Sequence, residues 1–189
     1  MVTRRHRRGI FRRMLRMARD VRGVAAVEFA MILPLMLVIY IGGNEFGHAL
    51  TISRKVTHVA STVADLVAQA KSVSNSDVTS IMTIADAMME PYSSSTLSIR
   101  ITLIAIDEDG EATVAWSKAN ANTTALTAGA DIVIPDSVKV PSTYLVNAEV
   151  HYPYTPRLGY VLTGSLDLED EFYLSPRLSD DVKNPPNYN

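Results

Sequence analysis

From Val24 to Gly43 the chain is apolar at every position except Glu28. That run of about 20 residues, at 1.5 Å per residue, is long enough to cross a ~30 Å hydrocarbon layer as a helix. After Gly43 the pattern changes without a clear helix stop. Ala49, Ile52, Val56, Val59, Val63, Leu66 and Ala70 recur at alternating steps of three and four. This is a seven-residue repeat that puts them on one helical face. Arg54, Lys55, His58, Ser61, Thr62 and Asp65 fall largely off it. The two halves predict one long helix, with a membrane-spanning part over 24–43 and an amphipathic extension over 44–71. The stripe needs a partner surface, either the chain's own sheet or a neighbouring helix; the intramolecular choice is favoured because most apolar helix stripes are core.

The stretch KSVSNSD (71–77) is a polar break, and Ser76-Asp77 offers a helix N-cap. Val78, Ile81, Met82, Ala85, Met88 and Met89 form the apolar face of a short second helix that Pro91 ends. The period then switches to two. Leu97, Ile99, Ile101, Leu103 and Ala105 alternate with Ser98, Arg100 and Thr102, and Ala112, Val114 and Trp116 alternate again after Asp107-Glu108-Asp109-Gly110-Glu111. This predicts a β-hairpin whose Asp-Gly supplies the positive-φ turn. A polar loop over 119–130 follows, then short apolar runs broken by Pro135. A third strand is predicted over Thr143–Tyr154 and a last one over Asp170–Ser175. The fold class is α+β: a long N-terminal helix, a short helix and a small antiparallel sheet of about four strands. The domains read as a basic leader (1–23), the span (24–43), the extension (44–71), an α+β domain (72–177) and a flexible tail (178–189).

Charge sharpens this reading. The formal net charge of the 189 residues is −2, yet residues 1–23 hold nine Arg against Asp20, and the other nine Lys/Arg face 19 acids. A basic arm is read as nucleic-acid binding, as a transit peptide, or as the cytoplasmic flank of a membrane span. The adjoining apolar run favours the last, with the N-terminus cytoplasmic and the C-terminal domain across the membrane. Arg12-Arg13 make a twin-arginine pair, but the hydrophobic run starts too late after it. There is no cysteine, which excludes a disulfide framework and thiolate metal sites.

Glu28 separates the remaining alternatives. A carboxylate near a bilayer centre costs roughly 2.5–3.5 kcal/mol on insertion scales, so it normally has a partner. Cleavage of the Gly23–Val24 bond would create an α-amine at Val24, one helical turn from Glu28. That amine can pair with Glu28 of the same chain or of a packed neighbour. A long apolar core with no Ala-x-Ala after it does not read as an ordinary cleaved secretory signal.

A basic leader, a glycine, and then an apolar run with Glu at the fifth position resembles the class III signal of type IV pilins and pseudopilins. More closely, Arg22-Gly23-Val24-Ala25-Ala26-Val27-Glu28-Phe29-Ala30, then Leu33-Pro34, then Glu45-Phe46-Gly47, resembles the TadE-like family, small pseudopilins of tight-adherence (Flp, type IVb) pilus systems. The tyrosine-proline run at Tyr152–Pro156 and the closing Pro176-Arg177 are similar too. The resemblance implies a pilin-like fold and cutting after Gly23 by a prepilin peptidase. It implies a role in pilus assembly or initiation, with Glu28 as the acid that neutralises an amino terminus. The partners it implies are that peptidase, other pseudopilins or pilus assembly components, and inner-membrane lipids. Neither nucleic acid nor a small-molecule substrate is expected.

Candidate interface residues are Glu45, Phe46, Gly47, Ile52, Val56, Val59, Val63 and Leu66. Glu45 by default is a solvated charge at the membrane edge, and Tyr40 and Phe46 are aromatic anchors near it. No catalytic residue, cofactor or metal is assigned. Walker, His-Glu-x-x-His and Gly-x-Ser-x-Gly motifs are missing. The acids of 107–111 lack a calcium-loop pattern. His48 and His58 do not share a helix face. His151 lies near Asp167 and Glu169 only in sequence. The alternative reading is an uncleaved, signal-anchored extracytoplasmic binding or adhesion domain.

Overall fold

The computed structural model describes residues 22–156 and 164–184. The basic leader before Arg22, and with it any account of the arm, lies outside the described residues, as do 185–189. One uninterrupted helix, α1 (Arg22–Ala68), contains Pro34 and Gly42-Gly43. Helix α2 (Asn75–Met89) follows, then β1 (Ser98–Ile106), β2 (Ala112–Ala119), a 3₁₀ turn (Asp136–Val138), β3 (Thr143–Tyr154) and β4 (Leu166–Leu174). The four strands make one antiparallel sheet in the order β2-β1-β3-β4. This is the α+β architecture expected from the change of period.

The second half of α1 lies against β3 and β4, with α2 packed beside it. Ile52, Val56, Val59, Val63 and Val67 are fully buried in a core shared with Met89 of α2, Ile99 and Ile101 of β1, and Val146, Ala148 and Val150 of β3. Each such aliphatic side chain contributes roughly 1.5–3 kcal/mol relative to its exposed state. The predicted stripe holds from Ala49 to Val63. Beyond that, burial passes to Ala64, Val67 and Ala68, while Leu66 and Ala70 are only partly covered. The reason is geometric: a straight helix of 3.6 residues per turn drifts off a strict seven-residue repeat.

Local chemistry sets the joints. Ser74, rather than Ser76-Asp77, is the N-cap of α2: its side chain accepts from the Asp77 amide, and the Asp77 carboxylate accepts from the Ser74 amide at 2.8 Å, a capping box. In the β1–β2 turn Gly110 takes φ +83°, and Asp107 Oδ1 accepts from the amides of Asp109 and Glu111. That carboxylate serves the turn, as its Asp-Gly chemistry predicts.

Three features depart from expectation. First, β1 is buried on both faces at its end. Ile104 and Ile106 join Ala112, Leu145 and Ile134 in a second small core beneath the 131–138 segment. Second, β4 starts at Leu166 rather than Asp170, so its acidic first half is paired with β3. Third, the tail is held through Asn184. Val182 is fully buried, its carbonyl accepts from Trp116 Nε1 at 2.7 Å, and Lys183 exchanges backbone hydrogen bonds with Lys71 and Val73.

Candidate membrane anchor and assembly surface

No residue of α1 from Gly23 to Tyr40 is buried; the chain's own domain begins to cover the helix at Glu45. Met31, Leu35, Ile39 and Tyr40 all present most of their surface. An uncovered apolar rod of this length has no place in water, whereas a bilayer supplies both its length and its apolar surroundings. Helical hydrogen bonding satisfies the rod's backbone as a lipid environment requires, except at the Ala30 carbonyl, to which Pro34 offers no amide.

Glu28 is the only acidic or basic residue in this rod. It stands on the uncovered surface one turn beyond Val24. Gly23 is helical, and a Cβ added there would meet nothing within 4 Å among the described residues. Packing among the described residues therefore gives no reason for glycine at 23. Gly47 is likewise open.

The expected interface residues divide. Ile52, Val56, Val59 and Val63 are spent on the chain's own core, so they offer no surface to a partner. The same holds in part for Leu66. Glu45 is not the solvated charge its position suggested: it is 4% exposed, at the point where the domain meets the helix. Phe46 at 63% and Leu50 at 44% exposed remain apolar surface just beyond the rod, with Gly47 between them. A helical wheel places Glu45 on the buried face and Phe46 about 100° away from it.

The sheet's outer face carries a polar network that the sequence order concealed. Arg100 grips Glu149 with two of its three guanidinium nitrogens, Nη2 to Oε1 at 2.7 Å and Nε to Oε2 at 3.0 Å. His151 does meet Asp167 and Glu169, contrary to the reading that they are near only in sequence: Nδ1 lies 2.8 Å from Asp167 and Nε2 2.6 Å from Glu169. Antiparallel pairing of β3 with β4 sets His151 opposite Glu169, a register that only the fold determines. The two ring nitrogens point in opposite directions to separate carboxylates, so they clamp the edge strand and cannot chelate one ion. Beside them, burial and the Glu171 charge push the Tyr173 phenol up to about 12.

Fold and anchor together define a class: a small α+β domain carried on the far half of a helix whose near half is built for a bilayer. The family model described as TadE-like protein matches residues 23–65, the rod and most of its extension. Over this segment the chain is similar to TadE-like proteins, in agreement with the resemblance carried by the Gly23–Glu28 and Glu45-Phe46-Gly47 motifs. The TadE-like match and an N-terminal apolar helix together point to a membrane protein associated with Tad pili. No curated protein and no solved structure matches the chain.

Proposed function

We propose that the protein is a single-pass inner-membrane pseudopilin that acts in the assembly or initiation of a tight-adherence pilus. Its N-terminus is cytoplasmic, its domain lies outside the cytoplasmic membrane, and a prepilin peptidase cuts it after Gly23. The observation that carries this reading is the uncovered rod with its single acid one turn from Val24. Cleavage removes the basic leader and leaves an ammonium group where Glu28 can reach it, in the same chain or from a neighbour. At a ~4 Å separation this pair gains ~4 kcal/mol at an effective dielectric of 20. That is comparable to the roughly 2.5–3.5 kcal/mol that an intramembrane carboxylate costs. A glycine that packing among the described residues does not require supports recognition from outside at that bond. The work assigned is interaction, with no catalytic residue, cofactor or small-molecule substrate.

The test is the mass of the mature N-terminus, measured with and without the peptidase. A chain beginning at Val24 only when the peptidase is present is the expected result. A leader that stays on in cells with an active peptidase overturns the assignment in favour of an uncleaved anchored binding domain.

A further inference from the structure

Outside its leader the chain is strongly acidic, and Arg54-Lys55 is the only adjacent pair of basic residues there. These two, with His58, Thr51 and Met88, line a groove of about 490 Å³ between α1 and α2. Lys55 Nζ donates to the Met88 carbonyl at 2.8 Å. Arg54 and His58 are exposed, and among the described residues neither has a carboxylate partner. A second concavity of about 450 Å³ is lined by Glu149, Glu169, Asp170 and Glu171. Its acids, with Asp167, outnumber the two basic residues that face them, Arg100 and His151.

The two patches stand at one level. Thr57 Oγ1 donates to Asp170 Oδ2 at 2.5 Å, which ties the acidic strand to α1 within three residues of Arg54, Lys55 and His58. Along the axis that is at most about 4.5 Å. They are also on different flanks. Lys55 reaches α2 and Thr57 reaches β4; at about 100° per residue Lys55 is turned about 160° from Thr57, His58 about 100° and Arg54 about 60°, so the groove opens to the side of the Thr57–Asp170 contact. Copies anchored by the same span stand in one membrane plane, so only groups at equal height can meet. A lipid headgroup fits less well. Arg54 lies eleven residues past Gly43, about 16 Å along the helix, whereas the headgroup layer adds only ~5–8 Å to the hydrocarbon.

We propose that the Arg54–Lys55–His58 groove receives the acidic β4 face of a second copy of this chain. The contact joins unlike surfaces, so it repeats from copy to copy and does not close as a twofold pair. It rests on the membrane-anchored reading but needs neither the cut after Gly23 nor Glu28. A chain that keeps its leader yet makes this contact fails the processing assignment and keeps this one.

Because the protein has no cysteine, disulfide trapping is unambiguous. Full-length chain carrying His58→Cys and Glu171→Cys is oxidised in its native membranes. A ladder of disulfide-linked multimers is expected, with each single substitution staying monomeric and the two singles mixed giving dimers only. Adding Arg54→Glu should cut the ladder at least tenfold, and Arg54→Lys should keep it. Trp116 emission checks that each variant is folded. No ladder from a folded chain, or a ladder that ignores Arg54→Glu, overturns the proposal. So does an Arg54→Cys thiol shielded from a water-soluble reagent only in phosphatidylglycerol vesicles, which assigns the groove to lipid.

Discussion

Ending the chain after Asp181 should weaken the domain, although the removed residues look like a disposable tail. The cut takes away Val182, which is fully buried. It also takes four hydrogen bonds: Trp116 Nε1 to the Val182 carbonyl, the Val73 amide to Lys183, the Lys183 amide to Lys71, and Asn184 Nδ2 to the Val73 carbonyl. Burying a valine contributes roughly 1.5–3 kcal/mol. Four hydrogen bonds at a net 0.5–1.5 kcal/mol each add about 2–6. Ordering three residues costs about 1–2 kcal/mol apiece and offsets much of this. The balance is a loss of about 2 kcal/mol, or ~4–8 °C in melting temperature for a chain of this size.

The assay is built in, because Trp116 is the only tryptophan and it is the residue that holds the tail. In detergent-solubilised full-length protein, emission at rest should shift to the red on truncation, and the urea midpoint should fall. An unchanged midpoint together with unchanged emission refutes the docking argument.

Other outcomes follow from the same structure. Ser74→Ala removes the N-cap of α2 and should cost about 0.5–2 kcal/mol in urea unfolding. The bonds from Ser74 hold the Asp77 carboxyl below its ordinary range. Its contribution is therefore present above the unfolded value, near pH ~3.9. It is lost as pH falls through the lower folded one, and an NMR titration should show the Asp77 pKa returning upward in Ser74→Ala. Tyr173 is raised to about 12 by burial first and then by Glu171 and Glu149. Stability from it should be complete below pH ~10 and lost as pH rises toward the folded value; Glu171→Gln should lower the phenol titration read by ultraviolet absorbance. Glu28→Ala should leave membrane insertion intact and abolish piliation, and wild-type pili in that variant would remove the role given to Glu28.

Periodicity made the skeleton legible. Twenty apolar residues, a stripe at steps of three and four, and alternation through 97–105 and 143–154 each describe a local geometry, and local geometry is written in neighbouring residues. The candidate anchor was legible for the same reason, since a lone acid in an apolar run is conspicuous without a fold. What tertiary structure decided was which surfaces meet. Glu45 reads as an edge charge until the domain closes over it. Val182 reads as part of a polar tail until Trp116 captures its carbonyl. His151, Asp167 and Glu169 become neighbours only through the β3–β4 register, and Asp170 reaches the level of Arg54 only through Thr57. In β4, Leu168, Phe172 and Leu174 face the core and alternate with solvent-facing acids, and the pattern breaks only at Asp170, which accepts a hydrogen bond from Thr57 of α1. Contacts between residues a hundred positions apart leave no trace in spacing, so they had to be seen in three dimensions.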